Sequence, residues 1–276
     1  MLSSLEAPES GVDWARSGDR PDAVFSLGSA LDFLLARFAP ITLDAIKSVA
    51  SANRLDTKST FGMAELPQLL RRIAPHYSLL TIDGVRAQRY QTLYFDTPGL
   101  DLYLRHHNGV YPRHKIRCRR YVDSERCFFE IKTKSNTGRT FKQRIPSPGM
   151  AVDIAGQART FLQHAVPHLP AVLRPVIRVA FTRLTLANKD ATERVTIDLD
   201  LTCHNSASSS RFPNLVIAEV KRDRSAARSL FLQKLHEMHL PEGSISKYCL
   251  GIMALHAKIK HNRFKERLRE INKLAA

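Results

Sequence analysis

"RCFFEIKTK", residues 126–134, decides the fold. Successive side chains of a strand point to opposite faces. One face of this stretch therefore carries Phe129, Ile131 and Thr133, and the other Glu130, Lys132 and Lys134. "LVIAEVKRD" at 215–223 repeats the pattern, with Glu219 and Lys221 opposite Ala218 and Val220. In "HKIRCRRY" (114–121), Lys115, Arg117 and Arg119 oppose Ile116, Cys118 and Arg120. "FKQRI" (141–145) places Lys142 with Arg144. "ERVTIDLDLTC" (193–203) sets Arg194, Thr196, Asp198 and Asp200 against Val195, Ile197 and Leu199.

An antiparallel sheet with one solvated face explains any one of these strands. It explains the set poorly, because like charges opposite one another destabilise a sheet. A nucleic-acid surface would account for the cations but not for Glu130 and Glu219 among them. Single-strand binders also interleave aromatic rings for stacking, and the charged faces read from sequence hold almost none beyond Phe128. A closed barrel accounts for more. With helices over its apolar outside, its lumen becomes a cationic tunnel for a dense anion. The carboxylates there can hold a divalent cation against phosphate oxygens.

The rest of the chain agrees with a single domain. The 276 residues carry 42 Lys and Arg against 26 Asp and Glu, a net charge of +16 that points to a polyanionic partner. No apolar run approaches the roughly 18 residues of a membrane helix. Residues 1–28 lack an apolar signal core and are expected to form a flexible lead-in, with 29–276 as the domain. Cys118, Cys127, Cys203 and Cys249 show no metal or disulfide spacing and read as small buried hydrophobes in a reducing, cytoplasmic setting. The eleven histidines read mostly as surface residues. Helical spacing is expected over 29–50 with a break at Pro40, over 62–77 ending before Pro75, over 147–169 and over 225–240. The tail from Lys247 reads as one long basic helix, a solvated face with peripheral contact to an anionic membrane as the other reading.

Taken in order, "YFDTPGLDLYLRHHNG", "RHKIRCRRY", "FFEIKTK", "FKQR", "AFTR", "ERVTID", "IAEVK" and "SKYCLG" resemble the VTC domain, the polyphosphate polymerase branch of the triphosphate tunnel metalloenzymes, over roughly residues 50–253. The resemblance implies an α+β fold: an eight-stranded antiparallel tunnel barrel with a cationic lumen, flanked by helices and ending in a long C-terminal helix. It implies transfer of the γ-phosphoryl group of ATP to an inorganic polyphosphate chain with a divalent metal, Mn2+ or Mg2+. By position, Lys58, Arg117, Arg119, Lys132, Lys142, Arg183, Arg194 and Lys247 are the expected catalytic cations. Lys115, Lys134, Arg144, Lys221 and Ser246 complete the binding set, and Glu219 is the expected metal carboxylate. Glu130 is expected to hold lysines in place as an ion-pair partner.

The sequence departs from the family pattern at Ser244, where a lysine is expected, and at Phe181, where a tyrosine is expected. A triphosphatase of the same superfamily and a non-catalytic polyphosphate or nucleotide sensor stand as alternatives; a nucleic-acid partner is not expected. "NRLDTK" in place of an ExExK strand favours the polymerase branch, and Glu219 favours an enzyme over a sensor. Lys132→Ala and Arg117→Ala are both expected to weaken triphosphate binding without unfolding the protein.

Overall fold

The alternation over 126–134 folds as a strand of those same residues, inside a larger sheet than the sequence implies. The computed structural model describes residues 28–48, 54–169, 172–224, 228–243 and 245–275. The expected flexible lead-in lies almost wholly outside the described residues, as does Ser244.

The elements run α1 (Ser29–Ala36), β1 (Ala39–Ile41), α2 (Leu43–Ser48), β2 (Arg54–Gly62), α3 (Leu66–Ile73), β3 (Tyr77–Leu80), β4 (Gln88–Asp96) and α4 (Asp101–Asn108). Then come β5 (Arg113–Tyr121), β6 (Arg126–Lys134), β7 (Thr140–Ser147), α5 (Gly156–Ala165), β8 (Arg174–Asn188) and β9 (Glu193–His204). Last are β10 (Ser209–Phe212), β11 (Leu215–Asp223), α6 (Leu230–Glu237), α7 (Lys247–Leu255) and α8 (Lys265–Ala275).

The sheet has 11 strands, eight of them in the order β2-β11-β9-β8-β4-β5-β6-β7, all antiparallel neighbours. β10 pairs with β9, and β3 joins β8 with β1 parallel to it. The eight antiparallel strands expected are this main path, while closure of the ladder is not shown. Among the described residues the ladder ends at β2 and β7, and three short strands are added. Pro40 does not break a helix; it sits in β1, an edge strand that tolerates a residue without an N–H. The short strand β10 begins at Ser209, within the Ser-rich stretch 205–210.

The sheet is nevertheless curled. Neighbouring strands lie about 4.8 Å apart, so a flat ladder would separate β11 from β6, or β2 from β5, by roughly 24 Å. Yet Lys58, Glu219 and Lys221 of β2 and β11 all act electrostatically on Lys132 of β6, and Lys58 acts on Lys115 of β5. Only a concave face brings these groups into mutual range.

On the convex face, Leu184, Leu186, Val195, Ile197, Val216, Ala218 and Val220 pack against α1, α3 and α6. Further along, Leu93, Phe95, Ile116, Cys118, Phe129 and Ile131 pack with residues of α5. The concave face is not charged throughout. Its other half holds Ile177, Val179, Phe181, Leu201, Leu215 and Ile217 under α7, with Ile271 of α8 in the same cluster.

This corrects the single basic C-terminal helix. The segment 247–255 is apolar and buried, and a separate short helix, α8, follows after a break at 256–261. α7 lies so close to the sheet that a Cβ on Gly251 would collide with Ile177 and come within 2.9 Å of Cys203 Sγ. All four cysteines are buried and free, as expected. His107 is buried against Phe264, contrary to the surface reading.

Candidate functional site

Three carboxylates organise the charged half of the concave face, and antiparallel register sets who meets whom. Glu219 of β11 stands opposite Lys58 of β2, and Lys221 opposite Asp56. Lys58 Nζ lies 2.7 Å from Glu219 Oε2, while Lys221 Nζ bonds Glu219 Oε1 and lies 3.0 Å from Asp56 Oδ2. Burial opposes the charge on Glu219, but Lys58 and Lys221 outweigh it and hold the carboxyl well below its usual range.

Glu130 of β6 is 0% exposed, accepts from Arg117 Nε at 2.8 Å, and forms ion pairs with Arg117 Nη2 at 2.7 Å and Lys142 Nζ at 2.6 Å. Burial raises its pKa, but Arg117, Arg119 and Lys142 bring it to about 2. The expected ion-pair role of Glu130 is therefore what the geometry shows, with an arginine as one partner.

The third carboxylate, Asp198 of β9, was placed on this face by alternation but assigned no task. It is buried and takes a two-pronged contact from Arg183 (Nε 2.5 Å, Nη2 2.8 Å) and another from Lys247. Burial raises its pKa, and the two cations bring it down to about 2. Asp200 departs from the expected face. A bulge between β8 and β9 interrupts the register there, Asp200 takes φ 47°, and its carboxylate pairs with Arg211 at 3.2 Å.

Ser246 caps α7 by accepting from Cys249 N, and it also accepts from Lys115 Nζ at 2.8 Å. One short turn of chain thus ties β5 (through Ser246) to β9 (through Lys247). Arg119 Nε donates to Thr92 Oγ1 at 3.1 Å. Lys132 stands directly opposite both Lys115 and Lys142, with Glu219 the carboxylate that acts on it from across the face. Burial first, then nearby cations (Arg117, Arg113 and Lys58 around Lys115; Lys115, Lys58 and Lys221 around Lys132; Arg117 and Arg119 around Lys142) lower all three lysines to about 8.

Three expected residues lie at the margins of this cluster, with Arg144 directly opposite Glu130 in the ladder. Lys134 lies over the Tyr111 ring at 5.5 Å, and Arg144, exposed, over the Phe128 ring at 4.4 Å. Arg194 stands opposite Lys221 at the far end of β9.

The scarcity of aromatics read from sequence is corrected. Tyr90 stacks on Phe181 with centroids 5.1 Å apart, and Tyr121 and Phe128 continue the group. Arg183 lies 5.1 Å from the Tyr90 centroid and Lys247 4.6 Å from that of Phe181. The alternation of Tyr90, Thr92 and Tyr94 in "RYQTLY" carried that signal; it is masked because β4 faces a cationic neighbour rather than carrying cations itself. His106 of α4 was also missed. Burial first, then Lys115, Arg113, Lys132 and Lys134, lower it to about 2, so it adds no charge.

Among the described residues no three His, Cys, Asp or Glu side chains gather as a metal cage. A hard divalent cation of the Mg2+ kind takes one or two carboxylates and completes its shell with water and substrate phosphate oxygens. Glu219 fits as the protein's share, and the ammonium of Lys221, seated between Glu219 and Asp56, shows that a cation is accommodated there.

Several solved structures are similar. A putative adenylyl cyclase from Hippeastrum, described as having a dominant triphosphatase activity, has 13% identity over 73% of this chain and 96% of its own, with a TM-score of 0.46. A putative adenylate cyclase from Vibrio parahaemolyticus has 11% identity over 72% and 98%, with a TM-score of 0.43. One from Bacillus halodurans has 12% identity over 70% and 94%, with a TM-score of 0.41. No curated protein matches the chain. The family model of the VTC domain matches residues 53–256, from the start of β2 to the end of α7, and so takes in every strand of the charged face: the chain belongs to the VTC domain family.

Proposed function

We propose that this protein transfers the γ-phosphoryl group of ATP to a growing inorganic polyphosphate chain on the concave face, aided by a divalent cation. The observation that carries the reading is the convergence of Lys58, Lys115, Arg117, Arg119, Lys132, Arg183 and Lys247 from five separate elements onto one face. Catalysis of phosphoryl transfer is almost entirely positioning and charge stabilisation, and it needs no protein nucleophile.

In this reading Arg117 and Arg183, fixed by Glu130 and Asp198, orient the phosphate chain without rearranging. Lys58, Lys115 and Lys132 supply mobile charge. Lys115 and Lys132 are short of counter-charge, and a phosphate chain restores it. Glu219 is the group that would hold Mn2+ or Mg2+, and the ion, when bound, would neutralise charge on phosphate oxygens. Lys142 and Arg144 on β7, Lys134 on β6 and Arg194 on β9 extend the cationic track on which the polymer lies.

The test is incubation of purified protein with ATP and Mn2+, followed by gel separation of polyphosphate and assay of free phosphate. Chains that lengthen support the polymerase; free phosphate without chains points to the triphosphatase. Neither product would leave an anion sensor. Glu219→Gln is expected to lower turnover by several orders of magnitude while tripolyphosphate binding in chelator holds or tightens.

A further inference from the structure

The charged face contains its own substitute for the metal. Lys221 Nζ touches Glu219 Oε1 and lies 3.0 Å from Asp56 Oδ2, two oxygens from adjacent strands that converge on one cation. Glu219 Oε2 is occupied by Lys58 at 2.7 Å. We propose that Asp56 and Glu219 together form the cation cradle, and that Lys221 fills it in the ligand-free protein. The inference rests on the proposed function, because it concerns the ion invoked there.

The physical reason is charge balance. A divalent ion approaching the empty face meets Lys58, Lys132 and Lys221 and must displace an ammonium already neutralising both carboxylates. A polyphosphate supplies the missing negative charge. Its oxygens are better acceptors for Lys221, whose flexible four-carbon stem lets the ammonium move within the site. Once Lys221 turns to phosphate, Asp56 and Glu219 lie open to the metal. Metal and phosphate chain therefore enter together, each raising the affinity for the other by the same factor.

The experiment measures Mn2+ alone, without nucleotide or phosphate, by the paramagnetic resonance signal of free Mn2+ in titrations of wild type, Lys221→Met, Lys221→Gln and Lys132→Met. Lys132→Met removes one positive charge from the same field without touching either carboxylate. Both Lys221 variants are expected to bind Mn2+ on the order of tenfold or more tighter than wild type, the size of a close charge partner's effect. Lys132→Met should change affinity far less. Adding Asp56→Asn to Lys221→Met should reverse the gain.

Equal Mn2+ affinity in wild type and both Lys221 variants overturns the proposal. So does a gain in Lys132→Met as large as that in Lys221→Met, since the effect would then be one of net charge. A gain that survives Asp56→Asn removes Asp56 from the cradle. Tripolyphosphate titration in chelator runs alongside: its failure in wild type would overturn the phosphate-chain reading while the Mn2+ result stands by itself.

Discussion

At the scale of residues, the site consists of cations that differ in how firmly they are held. Arg117 and Lys132 were expected to behave alike on substitution, and the structure separates them. Lys132→Ala removes a crowded ammonium that, among the described residues, has no carboxylate in ion-pair range, so the ligand-free protein should keep or gain stability while tripolyphosphate affinity falls. Arg117→Ala leaves Glu130, fully buried, with Lys142 as its remaining ion-pair partner. Breaking one side of a buried pair costs about 3–5 kcal/mol, so urea unfolding of Arg117→Ala should show a loss of that order; equal midpoints for the two variants would contradict the division. Asp198→Asn should likewise destabilise the ligand-free protein, because Arg183 and Lys247 lose their shared counter-charge. Tripolyphosphate should then raise the melting temperature of Asp198→Asn more than that of wild type. A smaller rise would mean that Asp198 does not hold cations for the ligand.

At the scale of elements, α7 is the piece that turns a curved sheet into a site. Its apolar body seals one half of the concave face, and its amino end delivers Ser246 and Lys247 to the charged half. Gly251 permits that approach by having no side chain between α7 and Ile177 and Cys203. Forcing extra atoms into a packed core typically costs about 1–3 kcal/mol. Gly251→Ala should therefore lower stability by that amount. It should also weaken tripolyphosphate binding, because lifting α7 carries Lys247 and Ser246 away from β9 and β5. Thermal melts and calorimetry check both; a stable variant with full affinity would show that α7 has slack at this contact.

At the scale of the molecule, charge links stability to pH in an unusual direction. Lys115, Lys132 and Lys142 fall from 10.5 when unfolded to about 8 when folded. Between those values the unfolded chain binds more protons, so these lysines make the ligand-free fold more stable as pH rises from about 8 to about 10.5. Glu130 and Asp198 act at the other end. Their folded values of about 2 lie below the ordinary 4.5 and 3.8, so their contribution is present above those values and lost as pH falls through about 2. Tripolyphosphate supplies the missing counter-charge, so its binding at pH 8 should take up protons. Calorimetry in two buffers of different ionisation heat measures that uptake, and no uptake would mean that these lysines do not meet the anion. The protein's net charge of +16 acts in the same sense, favouring anions at the surface before any specific contact forms.

Sequence by itself determined the strands of the charged face and which side chains share it. Two-residue alternation is local, and β6 runs over the very residues, 126–134, that the pattern marks. The order of motifs also carried the family. The curl of the sheet, its unclosed ladder and the added β1, β3 and β10 were decided by tertiary structure, because very short strands carry too few residues for a period to show. The bulge at Asp200 broke parity for a similar reason: one extra residue in a ladder is visible only against its partner strand. The split of the C-terminal segment into α7 and α8 depended on what α7 packs against, since an apolar stretch and a basic one both keep helical spacing. The pairings of Glu130 with Arg117, Asp198 with Lys247 and Lys221 with Asp56 were likewise beyond the sequence. Parity places a charge on a face, but only register and curvature choose its partner, and the partner decides whether it supports the fold or waits for the ligand.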